Sequence, residues 1–95
     1  MTKNENYQLL LITMKVMRVF LPSIRIIDYG YMVWLQNEKL RSVQILDFFE
    51  DFRFKGVCFR FTEGRFQEEK LIKSFLLLDV QGLPDALRKI QEWML

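Results

Sequence analysis

The middle of the chain, from Pro22 onward, constrains the fold more than any other part of the sequence. It consists of short runs rich in branched and aromatic residues, such as "IRIIDYGYMVWLQ" and "RSVQILDFF", separated by polar or glycine-containing segments. Consecutive strands with short connections pair with their neighbours as an antiparallel meander. We expect four strands, with "NEK" at residues 37–39 and "TEG" at residues 62–64 as turns.

Alternation along the first of these strands assigns its side chains to two faces, because successive side chains of a strand point to opposite sides. One face carries Tyr29, Tyr31, Val33 and Leu35, and the other carries Met32, Trp34 and Gln36.

The third strand, "FRFKGVCFRF" at residues 52–61, breaks strict alternation in its middle. A one-residue bulge at Gly56 restores the phase, and a tight turn at Lys55-Gly56 that splits the run into two strands is the alternative. In either case the apolar residues share one face of the strand. The opposite face then carries Arg53, Lys55, Cys58 and Arg60.

Helical signals flank this β-rich region. "GLPDALRKIQEWML" has Pro84 in a first turn, Asp85 at the positive end of the helix dipole, and an apolar stripe at helical spacing. Near the N-terminus, Thr2 and Glu5 stand at capping-box spacing. The sequence therefore predicts a single α+β domain over residues 1–95, a four-stranded antiparallel sheet with an N-terminal apolar helix and a C-terminal amphipathic helix.

The N-terminal helix has more apolar surface than one buried face needs. Its main stripe contains Leu10, Leu11, Met14, Met17 and Leu21. Further apolar residues lie off this stripe, so the helix either lies between two layers or packs against a second copy of the chain. Because so small a domain has few layers, we expect the main stripe to form a partner or dimer interface. A buried strand over "MKVMRVFL" is the alternative structure for this segment.

Composition excludes several classes of function. The chain has no His, a single Cys and a net charge of +2, and it contains neither a glycine-rich phosphate loop nor a nucleophile with a base. We therefore expect a non-enzymatic protein without a cofactor or a metal. The apolar run Leu9 to Leu21 is too short to span a bilayer and contains Lys15 and Arg18, and a lone thiol fits a cytoplasmic location.

Residues 53–73 hold six basic and three acidic side chains, a local excess that the whole-chain charge hides. A basic sheet face with aromatic rings suits single-stranded nucleic acid, since cations neutralise phosphates and rings stack on bases. The residues predicted to contact phosphates are Arg53, Lys55, Arg60 and Arg65. Trp34 is the predicted stacking ring, with Tyr29 or Tyr31 as the alternative if their strand faces the other way. The alternative is an ordinary solvated strand face with Trp34 in the core.

The segment "FLLLDVQGLPDALRKI" resembles the repeat of the Pur family, whose ββββα unit is shared by the Whirly proteins and the single-strand-binding transcriptional coactivators. Pur repeats also run from an apolar last strand through "QGL" into a helix with "DAL". Here only Pro84 separates the two tripeptides, which departs from the Pur spacing, and the N-terminal helix is not part of the repeat. The resemblance implies a curved sheet that binds single-stranded DNA or RNA and a homodimer of two repeats.

A second class of function follows from the apolar segments. A protein-interaction or assembly subunit would bind its partner through the surplus apolar surface of residues 9–21, and through "SFLLL", which is apolar on both faces of a strand. Salt would barely weaken such an interaction, whereas it weakens nucleic-acid binding strongly.

Overall fold

Two α-helices and a five-stranded sheet make up the fold. The structure is a computed structural model, and it describes residues 3–29, 32–47 and 57–95. The elements in chain order are α1 (Lys3–Phe20), β1 (Arg25–Asp28), β2 (Met32–Gln36), β3 (Arg41–Asp47), β4 (Val57–Glu63), β5 (Lys70–Leu76), one 3₁₀ turn (Leu77–Asp79) and α2 (Gly82–Met94). The α+β class, the antiparallel sheet and both helices are as predicted, and residues 9–20 are helix rather than strand. Thr2 of the predicted capping box lies outside the described residues.

The sheet is a meander in which β1 to β5 lie side by side in sequence order, each antiparallel to the next. Asn37 fixes the turn between β2 and β3, because its side-chain Oδ1 accepts hydrogen bonds from the backbone N–H groups of Lys39 (2.9 Å) and Arg41 (3.0 Å). Leu40 in this turn has a φ of 62°. The predicted polar turn at residues 37–39 is thus confirmed.

The strand count corrects the prediction of four, because "IRIIDYGYMVWLQ" forms two strands and not one. Asp28 of β1 pairs with Val33 of β2, and the backbone N–H of Tyr29 donates to the carbonyl of Met32 at 2.8 Å. The antiparallel pairing of residues 25–28 with residues 33–36 therefore separates β1 from β2.

The turn after β4 is longer than "TEG" suggests. β4 continues to Glu63, and the chain reverses over residues 64–69 before β5 begins. Gly64 begins this reversal with a φ of 128°, a conformation that glycine adopts without strain. A β-bulge lies in β5, where Phe61 faces Lys73 and Thr62 faces Leu71, so that Ile72 is the extra residue. The bulge predicted at Gly56 lies outside the described residues.

The core lies between the two helices and one side of the sheet, which we call the helix face. β4 contributes Val57, Phe59 and Phe61 to it, while Cys58 and Arg60 point to the opposite side, the outer face. This is the phase predicted for these five residues. The other core residues are Met17, Ile24, Val33, Leu35, Val43, Ile45, Ala86, Ile90 and Met94.

Trp93 fastens α2 to the sheet. Its indole N–H donates to the carbonyl of Ser42 at 3.0 Å, and its ring stacks on Phe61 with 5.4 Å between the ring centroids. The guanidinium carbon of Arg41 lies 5.0 Å from the Trp93 ring centroid, and Arg41 Nη1 donates to the Trp93 carbonyl at 3.2 Å. One residue therefore combines apolar burial, a hydrogen bond and a cation–π contact.

Asp85 occupies the first turn of α2, as its sequence position predicts. The backbone N–H of Gln81 and the guanidinium of Arg88 donate hydrogen bonds to its carboxylate, and they hold the pKa of Asp85 below its usual value. Hydrogen bonds to the charged form favour that form.

Within the described part of the chain, neither helix combines the length and the apolar character needed to cross a bilayer.

Candidate functional site

α1 has a second apolar face, whose residues are exposed except for Val16, which also packs against the core. Ile12, Val16, Val19 and Phe20 recur at helical spacing, and we call them the α1 apolar face. The exposed fraction is 84% for Val19 and 43% for both Ile12 and Phe20, while Val16 is half-buried. Contiguous exposed apolar residues of this kind are typical of protein interaction sites.

The apolar stripe predicted as a partner interface faces the chain's own core. Met17 is completely buried there, and Met14 and Leu21 pack against the same core. Leu11 is half-buried, and the side chain of Leu10 is not described. Met14, Met17 and Leu21 are therefore engaged in the chain's own core, and the described apolar residues that α1 leaves exposed are those of the α1 apolar face. The reason is that the most regular stripe of an amphipathic helix packs on its own sheet and leaves the remaining apolar residues outside.

A shallow open depression of about 520 Å³ lies between α1 and α2, beside the α1 apolar face. Val16, Val19 and Phe20 form its apolar part, and Lys15 and Gln91 form its polar rim. An apolar floor with a polar rim is the usual composition of a protein interface. The depression could therefore receive side chains of a helix docked on α1.

The outer face of the sheet carries two arginines, which lie in neighbouring rows of paired residues. Arg25 belongs to β1, and Arg60 to β4. Strand residues assigned to this face by the pairing register are Arg25, Ile27, Met32, Trp34, Gln36, Ser42, Gln44, Leu46, Cys58, Arg60, Thr62, Leu71, Ser74 and Leu76. No carboxylate stands among these described strand positions, but Asp79 of the 3₁₀ turn lies near this face, where its carboxylate accepts a hydrogen bond from the backbone N–H of Leu76.

Trp34 lies on the outer face but offers no open ring. Its residue surface is completely buried, the ring of Phe66 meets it edge-on with 4.8 Å between centroids, and the guanidinium carbon of Arg25 lies 5.6 Å from its ring centroid. A base needs an accessible ring face for stacking. Trp34 in this arrangement is thus a packing residue, and the prediction that it stacks on a base finds no support in its position.

The four basic residues predicted to bind phosphates are only partly described. Arg60 is half-buried on the outer face, and Arg65 is exposed in the segment between β4 and β5. Arg53 and Lys55 lie outside the described residues. Arg25 was not among the predicted residues, but it lies on the same face as Arg60. Its pairing with Gln36 assigns it to this face, because Gln36 and Trp34 point to the same side of β2.

A buried polar cluster lies near the start of the β4–β5 connection. Gln36 Nε2 donates to Ser42 Oγ at 2.9 Å and to the carbonyl of Gly64 at 2.7 Å. Phe66 of this connection covers Trp34, and the Trp34 indole N–H and the Thr62 hydroxyl have no hydrogen-bond partner among the residues that the structure describes. The connection therefore closes this end of the outer face.

Cys58 is buried on the outer face as a neutral thiol. Burial raises the pKa of Cys58, and the nearby charge of Arg60 acts in the opposite direction. Because the thiolate is the reactive form, a raised pKa makes a thiol less nucleophilic near neutral pH.

The comparisons with known proteins give no match, since no family model, no curated protein and no solved structure corresponds to this chain. The resemblance to the Pur and Whirly repeats stays a prediction. Function is therefore inferred from the chain's own geometry.

Proposed function

We propose that this protein is a non-enzymatic assembly subunit that forms a homodimer through the α1 apolar face. The observation that supports the proposal most strongly is Val19, a large apolar residue that is 84% exposed in the middle of an apolar row. Leaving such a row in water costs free energy, at about 25 cal/mol for each Å² of apolar surface. Covering it with another apolar surface removes that cost.

A second copy of the chain fits the α1 apolar face because the face is complementary to itself. Two copies of α1 that cross antiparallel about a two-fold axis near Val16 bring Ile12 of one copy against Phe20 of the other. All four residues of the face are uncharged, and Lys15 and Arg18 stand beside it, where they keep contact with water. Isologous interfaces of this kind are the commonest form of protein oligomer.

The dimensions of the surface fit a dimer interface of less than standard size. α1 has 18 residues and is therefore ~27 Å long. Packed helices lie about 8–10 Å apart, so α1 and α2 together present several hundred Å² toward a partner. A standard interface buries roughly 800 Å² on each partner. Both helices are thus needed, which agrees with the depression that α2 shares through Gln91.

Replacing Val19 with aspartate is expected to convert the dimer into a folded monomer. In the monomer the new carboxylate lies in water, whereas in the dimer two unpaired carboxylates would be buried against apolar side chains. That change weakens dimerisation by more than roughly 100-fold. Sedimentation equilibrium over a range of protein concentrations measures it, with the native chain expected at twice its mass of 11.6 kDa.

Leu71→Asp is the matched control, because Leu71 is an exposed apolar residue on β5 whose side chain lies on the outer face. We expect this variant to dimerise like the native chain, and we expect salt to change dimerisation little. A native chain that sediments as a monomer at all concentrations would overturn the proposal. Equal effects of the two variants would also place the interface elsewhere.

Binding of single-stranded nucleic acid on the outer face is the second candidate function. Two features support it: Arg25 and Arg60 share a face whose described strand positions hold no carboxylate, and Arg65 is exposed in the connection that follows β4. This candidate keeps the predicted phosphate contacts of Arg60 and Arg65 but does not use Trp34.

The double variant Arg60→Ala with Arg65→Ala should weaken binding of a labelled single-stranded oligonucleotide if this second function holds. Losing two phosphate contacts lowers the slope of log affinity against log salt by about 1.4. Fluorescence anisotropy at several salt concentrations measures both quantities. Lys15→Ala with Arg18→Ala, which removes the same charge from α1, is the control. Equal behaviour of the two double variants would exclude the outer face.

A further inference from the structure

The two edges of the sheet differ in how far they are protected. β1 has four residues, its apolar Ile26 and Ile27 are half-buried, and charged residues stand at both its ends. β5 has seven residues, and its first five are exposed. Leu71 and Ile72 are among them, 48% and 51% exposed. One edge is therefore short and shielded, and the other is long and open.

The backbone of β5 is paired on one side only. It hydrogen bonds to β4, and no other described strand lies next to it. An edge strand presents a row of unpaired N–H and C=O groups, and a further strand can add to them. The exposed backbone and the exposed apolar side chains thus coincide on the same strand.

Two lysines lie on this edge strand. Lys70 lies opposite Glu63 on β4, which offsets its charge, whereas Lys73 lies opposite the uncharged Phe61 and is the main positive charge of the edge. Neither lysine has a carboxylate within 4.0 Å among the described residues, where the salt bridges are those of Arg88. Lysines on an edge disfavour pairing of the edge with itself, because like charges meet. The same charges favour an acidic strand.

We propose that β5 is a docking edge for an extended acidic peptide segment of a partner protein, which adds to the sheet as a sixth strand. The backbone of the segment hydrogen bonds to the free side of β5. Its side chains alternate, so that apolar residues lie beside Leu71 on the outer face and carboxylates lie beside Lys73 on the helix face. This interaction is separate from the proposed homodimer, which uses α1 and not the edge of the sheet.

A fluorescein-labelled nine-residue peptide of alternating valine and glutamate is the probe, with binding measured by fluorescence anisotropy. We expect Lys73→Glu to weaken its binding about ten-fold, because an attraction becomes a repulsion. Lys15→Glu, which makes the same charge change on α1, should leave binding unchanged. Val19→Asp should also bind the peptide normally, which separates this result from the fate of the dimer.

Two further peptides test how the strand is held. One version has N-methyl groups on the alternate residues whose N–H groups would face β5, so it loses these hydrogen-bond donors and should not bind. The other version has lysine in place of glutamate and should bind much more weakly. Equal binding of the N-methylated and the parent peptide would overturn the added strand. Equal effects of Lys73→Glu and Lys15→Glu would overturn the role of the edge lysines, and absence of binding by the native protein would overturn the proposal as a whole.

Discussion

Replacing Phe59 with alanine is expected to lower the free energy of unfolding by about 3–5 kcal/mol. Phe59 is 1% exposed in the middle of β4, where it pairs with Ile45 of β3 and Phe75 of β5. Its ring stacks on that of Phe75 with 5.1 Å between centroids. Removing the ring leaves a cavity at the centre of the sheet, and neighbouring strands cannot close it without losing their pairing.

The expected loss is a large part of the total stability of a domain, which is about 5–15 kcal/mol. It corresponds to a fall in Tm of more than about 12 °C for a chain of this size. Urea unfolding and thermal unfolding followed by circular dichroism both measure it. Leu71→Ala removes an exposed apolar side chain from β5 and should cost less than about 0.5 kcal/mol. Similar costs for the two variants would show that Phe59 is not in the core.

Trp93→Ala is expected to be the second most damaging substitution, at about 3 kcal/mol, because it removes the residue that fastens α2 to the sheet. Three contacts disappear together: the stack on Phe61, the hydrogen bond to the carbonyl of Ser42 and the contact with the Arg41 guanidinium. We expect α2 to pack less tightly on the sheet, and the part of the core around Ile90 to become less ordered as a result.

Trp93→Phe separates these contributions, since it keeps an aromatic ring against Phe61 but leaves the carbonyl of Ser42 without its donor. We expect it to cost about 1 kcal/mol, less than the alanine variant. Near-ultraviolet circular dichroism during urea unfolding reports the packing directly. Arg88→Ala on the solvent side of α2 removes an exposed ion-pair network and should change stability little. A ranking in which Arg88→Ala equals Trp93→Ala would contradict the role of Trp93.

Local patterns in the sequence predict much of this fold because local physics produces it. Pro84 and Asp85 mark the start of a helix, and the polar turn at Asn37 follows from a side chain that hydrogen bonds its own backbone. Alternation alone also separates Phe59 from Arg60 across the sheet. In each case the deciding neighbours are within a few residues along the chain.

The sequence predicts one strand here where the structure has two, because both halves are mainly apolar. Three of the five residues of "IRIID" and four of the five of "MVWLQ" are apolar, and Gly30 lies between them. A single glycine is also compatible with a bulge or a weak position inside one strand. The pairing of Asp28 with Val33 decides between these structures, and pairing is a tertiary property.

The candidate site was harder to predict than the fold because exposure depends on what covers a face. Periodicity correctly separates Trp34 from Val33, but it does not reveal that Phe66, thirty-two residues later, lies against the Trp34 ring. In α1 the stripe with the best periodicity, including Met17, packs on the chain's own sheet. The residues left over, such as Val19, form the surface now proposed to bind.

The neighbour-to-neighbour order of the five strands has a kinetic consequence. Each hairpin brings together residues that are close along the chain, so the loop-closure entropy lost at every step of sheet formation is small, and low contact order favours rapid folding. The exception is the packing of α1 with α2 in the core. Met17 and Ile90 belong to the same core cluster, although the whole sheet lies between them along the chain. The sheet can therefore form early by successive hairpins, and the joining of α1 with α2 is the step that makes its assembly cooperative.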